Sequence, residues 1–91
     1  MIYKLFSIFD SKVGVYAAPF PALTEEQAKR IFFDMCDRSD NAYGKHPADY
    51  TLFYVADCDD AKGIITSLVA FENLGNGMVL LAETKSLESN D

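Results

Sequence analysis

The stretch LFYVADCDDAKGIITSL, residues 52–68, places an apolar run on either side of an acidic turn. Runs rich in β-branched and aromatic residues, joined by a short polar turn, predict a β-hairpin. Asp57 stands at the entry of this turn and Gly63 near its exit, where a positive φ is favoured. Residues 5–16, LFSIFDSKVGVY, follow the same pattern with a shorter turn, so the sequence predicts a second hairpin.

A clear helix is predicted between the hairpins, over TEEQAKRIFFDMCD, residues 24–37. Thr24 and Gln27 fit a capping box, in which each side chain bonds a free backbone N–H of the other. Apolar residues follow at helical spacing: Ala28, Ile31, Phe32, Met35 and Cys36. The chain is therefore predicted to be an α+β domain, a small antiparallel sheet of two hairpins with one main α-helix between them, in the order ββαββ.

The remaining segments set the predicted boundaries of this domain. APFPAL, residues 18–23, predicts an extended connector because its prolines disfavour helix. ENLGNG, residues 72–77, predicts a break, and MVLLA, residues 78–82, is compatible with a short final strand or one helical turn. We expect one α+β domain over residues 1–82, followed by a polar, disordered tail over residues 83–91.

Both faces of the predicted sheet carry apolar side chains. In the first strand, the residues of the two sides are Tyr3, Leu5 and Phe9, and Ile2, Phe6 and Ile8. One helix can cover only one face of a four-stranded sheet. The other face must therefore meet the C-terminal segment, a second subunit or a ligand, and we expect it to carry the function.

The charge of the chain is acidic but unevenly distributed. The net charge is −6, which argues against nucleic acid as a partner of the whole surface. Residues 1–56 hold six basic and seven acidic side chains, whereas residues 57–91 hold two basic and seven acidic ones. A locally basic surface in the first part of the chain is therefore compatible with the sequence.

The cysteines and the N-terminus bear on the compartment. Cys36 and Cys58 lack CxxC spacing, so we expect two free thiols in a reducing environment. The apolar N-terminus is too short and too interrupted for a signal or membrane segment. We therefore expect no contact with a membrane.

No pattern of catalytic residues is present in the sequence. His46 is the only histidine, and there is no GxSxG, HExxH or CxxC motif. Asp57, Asp59 and Asp60 precede Gly63, but an EF-hand calcium loop needs glycine at its sixth position and glutamate at its twelfth. The acidic turn has neither. We therefore predict no enzymatic activity, no metal site and no cofactor.

The residues around the histidine carry groups that hold single-stranded nucleic acid. Such strands are bound by aromatic rings that stack on bases and by cations that follow the phosphates. Both kinds of group occur at Tyr43, Lys45, His46, Tyr50 and Tyr54, and Lys4, Lys12, Lys29 and Arg30 extend the set. The alternative is that the tyrosines pack at strand edges and that the histidine belongs to a turn. We expect Lys45 and His46 to face solvent beside the sheet edge.

Three segments of the chain resemble a known protein family. They are YKLFSIFDSKVGVYAAPF near the start, GKHPADYTLFYVADCDDAKGII in the middle and LGNG near the end. Together they are similar to the small nonstructural protein of gokushovirus-type microviruses, which are tailless phages with small single-stranded DNA genomes. The middle segment is the most specific of the three, because its string GKHPADY is long.

The resemblance implies a viral, non-enzymatic protein of the host bacterial cytoplasm that binds single-stranded DNA during genome replication and packaging. The predicted contacts are Lys45, His46, Tyr50 and Phe53 from the middle segment, Lys4 and Lys12 from the opening segment, and Tyr43 from the aromatic pattern. The apolar second face adds the expectation of a homodimer. The alternative function is an acidic protein–protein adaptor that docks on viral or host replication proteins or on capsid-assembly proteins.

Overall fold

The computed structural model describes the backbone of residues 1–88 and the side chains of residues 1–84. In this part of the chain, five strands form one antiparallel sheet: β1 (Ile2–Asp10), β2 (Val15–Tyr16), β3 (Phe20–Ala22), β4 (Tyr50–Asp59) and β5 (Ile64–Asn76). The helices are α1 (Glu25–Cys36), α2 (Ala42–Lys45) and α3 (Gly77–Glu88), and a 3₁₀ turn, Pro47–Asp49, precedes β4. The strand order is β2–β1–β4–β5, and β3 pairs with the edge of β1 that β2 also occupies.

Glycine supplies the backbone conformation of both hairpin turns. Gly14 has a φ of 75° between β1 and β2, and Gly63 has a φ of 66° between β4 and β5. In each turn the glycine N–H donates to the carbonyl oxygen of the aspartate four residues before it, Asp10 or Asp59, at 2.8 Å. Because L-residues with a Cβ rarely adopt this φ, the predicted need for glycine at these turns is confirmed.

The predicted fold class is wrong. The described residues form a mostly β structure, a curled antiparallel sheet of five strands with short helices, rather than two hairpins with one main helix between them. The predicted connector at residues 18–23 supplies β3, in which Pro21 pairs with Leu5 at a sheet edge, where proline needs no ladder N–H. The predicted break at residues 72–77 contains the end of β5, which is 13 residues long. The final segment forms α3, which equals α1 in length at 12 residues, so neither is the main helix.

Irregular pairing curls the sheet. The register of β1 against β4 shifts between Leu5 and Phe6, and the register of β4 against β5 shifts at two points. At the larger of these shifts, residues 68–71 of β5 stand opposite Val55 alone. Because bulges bend a strand and increase its twist, this arrangement curls the sheet and makes residues 68–71 protrude.

The helices cover one face of the sheet, called here the helix-covered face. Phe6 and Leu52 from the sheet and Phe32 from α1 are fully buried in one cluster, and Ile8, Ala22, Ala28 and Cys36 complete its buried part. The buried stripe of α1 is narrower than predicted, since Ile31 is 37% exposed. The core therefore lies between α1 and the middle of β1 and β4.

α1 begins at the predicted cap. The Gln27 N–H donates to Thr24 Oγ1 at 3.1 Å, as a capping box requires. The Gln27 side chain accepts from the Leu23 N–H at 2.9 Å, one residue earlier than predicted. These two hydrogen bonds thus hold the junction between β3 and α1.

Glycine also allows α3 to approach its neighbours. A methyl group at Gly77 would lie 2.6 Å from the Pro47 carbonyl oxygen and 2.9 Å from Cys36 Sγ. α3 therefore begins against the 3₁₀ turn and the end of α1. It continues to Glu88, beyond the predicted domain boundary at residue 82. The end of the predicted tail, residues 89–91, lies outside the described residues.

Candidate nucleic-acid interface

One end of the sheet brings together segments that are far apart in the sequence. Asp10, the last residue of β1, pairs with Tyr50, the first residue of β4. Beyond this pair, the N–H and the hydroxyl of Ser11 both donate to the Asp49 carbonyl oxygen, at 2.9 and 3.0 Å. The β1–β2 turn, which carries Lys12, therefore lies against the segment that leads into β4.

α2 occupies the same end and presents the predicted cation and imidazole. The Gly44 N–H donates to Asn41 Oδ1 at 2.8 Å, which caps the short helix. Gly44 also packs so closely on the Arg38 carbonyl group that no side chain would fit there. Lys45 and His46 follow and are exposed, as predicted. The glycine is therefore needed for the close approach of α2 to the Arg38 carbonyl group.

A cleft of about 260 Å³ opens at this end and is called here the rim cleft. Its lining residues are Ile8, Asp10, Val15, Tyr16, Ala17, Ala42, Tyr43 and Tyr50. The rings of Tyr43 and Tyr50 lie 4.7 Å apart, centroid to centroid, at an angle of 60°. Burial raises the pKa of the Tyr50 hydroxyl, and Asp10, Tyr43 and Asp49 raise it further. Tyr50 therefore remains a neutral phenol that can donate a hydrogen bond to a ligand.

Two of the seven predicted contact residues lie elsewhere. Lys4 is on the helix-covered face, where its Nζ is 3.9 Å from Glu25 and 4.8 Å from the centre of the Tyr54 ring. The hydroxyl of Tyr54 donates to Asp57, which lies on the same side of the sheet. Phe53 is on the opposite face. The structure thus gathers Lys12, Tyr43, Lys45, His46 and Tyr50 at the rim and leaves Lys4 and Phe53 apart from them.

The second face of the sheet carries an aromatic cluster that no described helix covers, and it is called here the open face. Its four rings belong to Phe9, Tyr16, Phe53 and Phe71. The centroids of Tyr16 and Phe9 lie 4.7 Å apart, and those of Tyr16 and Phe71 lie 5.6 Å apart at 88°. Tyr16 and Phe71 are 47% and 43% exposed. The expectation of a second, apolar face on the side of the sheet opposite the helix-covered face is therefore confirmed.

Tyr16 is the residue that sequence analysis missed. It lines the rim cleft and also joins the open-face cluster, so it separates the two surfaces. Its place at the end of the first predicted hairpin was the one indication in the sequence that it is exposed. An aromatic residue on a short edge strand has few neighbours to pack against. The pairing of Phe9 with Tyr16 across β1 and β2 could not be assigned without the register.

Charge is sharply divided between the two faces. The charged side chains of the described strands are Lys4, Asp10, Asp57, Asp59 and Glu72. By strand alternation and by their contacts, all of them lie on the helix-covered side. The open face is therefore uncharged.

The rim itself is electrically balanced. Lys12 and Lys45 add two positive charges, and Asp10 and Asp49 add two negative ones. Arg38, the next cation along the chain, is held by Asp40 at 2.7 Å, and this carboxylate raises the pKa of the guanidinium. At the far end of the sheet, the N-terminal amine pairs with Asp60 at 2.8 Å. A polyanion is therefore attracted to the rim by two lysines at most.

The described side chains contain little that suggests catalysis. Within residues 1–84, no group of three or more His, Cys, Asp and Glu side chains is placed to hold a metal ion. Burial raises the pKa of the Cys36 thiol to about 11, so this sulfur is not an activated nucleophile. Among the described residues, no helix is long and apolar enough to cross a membrane.

Comparison with known proteins gives one match. A family described as Phage ORF5 protein matches residues 3–80 of the 91. No curated protein and no solved structure matches the chain.

Proposed function

The chain belongs to the Phage ORF5 protein family, and from this premise we propose that it is a non-enzymatic protein that binds single-stranded DNA at the rim cleft. The chain is thus a phage protein, and binding would serve genome replication and packaging in the bacterial cytoplasm. The proposed mechanism is stacking of bases on the tyrosines of the cleft, with lysines neutralising the adjacent phosphates.

The observation that carries this proposal is the convergence at the rim. Lys12 comes from the β1–β2 turn, and Lys45 and His46 come from the segment before β4. The hydrogen bonds from Ser11 to Asp49 hold these segments together beside a cleft lined by three tyrosines. Exposed cations next to aromatic rings are the combination that single-stranded nucleic acid requires.

The small number of cations predicts weak salt dependence. Two phosphate contacts on a single strand give a slope of about −1.4 for log K against log salt concentration. Affinity should then fall about sevenfold between roughly 50 and 200 mM salt. A much steeper slope would require cations from a second copy or from other parts of the surface.

Fluorescence anisotropy with a labelled oligonucleotide tests the proposal. We expect the Lys12→Ala, Lys45→Ala double variant to lose most of the salt dependence and most of the affinity. Lys62→Ala is the matched control, since Lys62 is exposed in the β4–β5 turn at the other end of the sheet. Absence of binding by the wild type at low salt, or equal losses in the control, would refute binding at the rim.

A second candidate function is supported by the open face. An acidic protein that presents an uncharged aromatic surface is suited to docking on another protein, and so to the role of an adaptor in replication or capsid assembly. A pull-down from infected cells, after nuclease treatment, tests this role. Recovery of a phage or host protein by the wild type but not by Phe71→Ala would favour the adaptor.

A further inference from the structure

A protruding valine stands on the open face. Residues 68–71 of β5 bulge away from β4, because the pairing passes from Tyr54 with Glu72 directly to Ala56 with Ser67. Within this bulge Val69 is 108% exposed, so nothing in the described monomer contacts much of its side chain. A fully exposed branched aliphatic residue on a rigid strand is a suitable anchor for another surface.

A pocket lies close to this valine in the chain, because Phe71, two residues further along β5, forms one of its walls. It has a volume of about 260 Å³ and is lined by Ser7, Tyr16, Ala17, Pro19, Val55 and Phe71. Two of its lining side chains, those of Ser7 and Tyr16, carry a hydroxyl, and Ser7 is 2% exposed and donates to the Ala17 carbonyl oxygen at 2.7 Å. The pocket is smaller than the roughly 300–1,000 Å³ of most small-molecule sites, and an apolar side chain suits it.

We propose that the open face binds the open face of a second copy of this chain, with Val69 of each copy in the pocket between Tyr16 and Phe71 of the other. Both parts of the contact are on one surface, and Phe71, a wall of the pocket, is two residues from Val69. In a two-fold dimer the same patch meets itself, so a protrusion and the pocket that receives its equivalent must share one face, on opposite sides of the two-fold axis. The open face carries both.

The charges favour a second copy over other occupants. The chain carries a net charge of −6, and two such chains repel each other wherever their acids approach. The open face is the surface on which they can meet without burying a charge, because the charged side chains of the described strands lie on the other side. A DNA strand would find aromatic rings there but no cation for its phosphates.

Tyr16 is the residue that this dimer contact shares with the proposed DNA site. The rim cleft lies on the other side of Tyr16, and α2 with Lys45 and His46 belongs to the helix-covered side. Pairing of the open faces would therefore leave both residues accessible. It would also place two rim clefts on one particle, so that a single DNA strand could contact both.

Sedimentation velocity over a range of protein concentrations tests the proposal. We expect a dimer for the wild type. Val69→Lys should raise its dissociation constant at least about tenfold, because each copy would bring an unpaired charge into an apolar pocket. The matched control is Val79→Lys on α3, where the valine is 50% exposed on the helix-covered side, and this variant should dimerise as the wild type does.

Three results would overturn the proposal. They are a wild type that stays monomeric at every concentration, a dimer that Val69→Lys leaves unchanged, and equal weakening by Val79→Lys. A monomer whose open-face rings become protected only when an oligonucleotide is added would instead assign this face to DNA. Circular dichroism of both variants, with spectra equal to that of the wild type, shows that the substitutions act on association and not on folding.

Discussion

The two faces of the sheet are built from the same strands but differ in what completes them. On the helix-covered face, Phe6 and Leu52 lose all exposure against Phe32 of α1. On the open face, Tyr16 and Phe71 pack on each other and remain nearly half exposed. Alternation along β1 and β4 puts Phe6 and Leu52 on the first face and Phe9 and Phe53 on the second.

The difference shows how a small domain assigns two roles to one sheet. A 91-residue chain buries a limited fraction of its surface, so one well-filled core is about what it can build. Here the helices complete that core, and the charged side chains of the strands lie on the same side of the sheet as the helices. The other face is left apolar and uncharged, which marks it as a surface for association.

The largest expected effect compares a phenylalanine from each face. Phe32→Ala should lower the free energy of unfolding by about 3–5 kcal/mol, because it leaves a cavity in the sealed core. Phe53→Ala should lower it by only about 1 kcal/mol, because this half-buried ring packs against Phe9 and Tyr16 on the open face and not in the sealed core. Urea unfolding at low protein concentration measures both, and equal losses would mean that the open face is part of the core.

The next effect is a dependence of stability on protein concentration. If the open face is covered in a dimer, the thermal midpoint of the wild type should rise by a few degrees for each tenfold increase in concentration. Val69→Lys should show this rise only at protein concentrations at least about tenfold higher. Scanning calorimetry of the two proteins provides the test, and a concentration-independent wild type would contradict the comparison.

A smaller effect belongs to the polar border of the helix-covered face. The hydrogen bond to Asp57, together with burial, raises the pKa of Tyr54 to about 12 from its ordinary 10. Because the unfolded chain loses this phenolic proton first, the added stability is complete below pH 10 and is lost between pH 10 and about 12. Tyr54→Phe should cost about 1 kcal/mol at neutral pH and flatten stability over that alkaline range.

Urea unfolding at several pH values checks this prediction. Tyr16→Phe serves as the control, since the Tyr16 ring lies on the open face among other rings and away from Asp57. If the free energy of unfolding of Tyr54→Phe falls between pH 10 and about 12 as steeply as that of the wild type, another group accounts for the pH dependence.

The smallest effect concerns reaction rates of the two thiols. Cys36 is buried in the core and has a raised pKa of about 11, whereas Cys58 is only half buried on β4. At mildly alkaline pH, a disulfide reagent should modify Cys58 in the native protein and Cys36 only after unfolding. Mass spectrometry of labelled peptides distinguishes them, and rapid labelling of Cys36 would show that the helix-covered face opens readily.

Local sequence signals accounted for the turns and the first helix but not for the fold class. Gly63 and the Thr24 cap could be assigned because each depends on residues within a few positions. β3 could not be assigned in this way, because its proline favours an extended connector. Only its pairing with an edge of β1, which is a long-range contact, shows that it is a strand. The length of β5 was hidden by the glycine and asparagines near its end, which are tolerated because the strand is bulged and lies at an edge.

The candidate site was predicted in part for the same reason. Tyr43, Lys45, His46 and Tyr50 lie close in sequence, so one motif identified them together. Lys12 joins them through long-range hydrogen bonds at Asp49. Lys4 and Phe53 lie on other surfaces than this group, because the side of a strand on which a residue lies depends on register and bulges, which the sequence does not reveal.

The central claim is that the open face is buried against a second copy of the chain, and a tryptophan reporter tests it most directly. The chain has no tryptophan, so Phe71→Trp places a single indole at the wall of the open-face pocket. We predict that its emission shifts to shorter wavelength as protein concentration rises, and that adding Val69→Lys moves this shift to concentrations at least about tenfold higher. Emission that stays at the wavelength of a solvent-exposed indole at every concentration would contradict the claim.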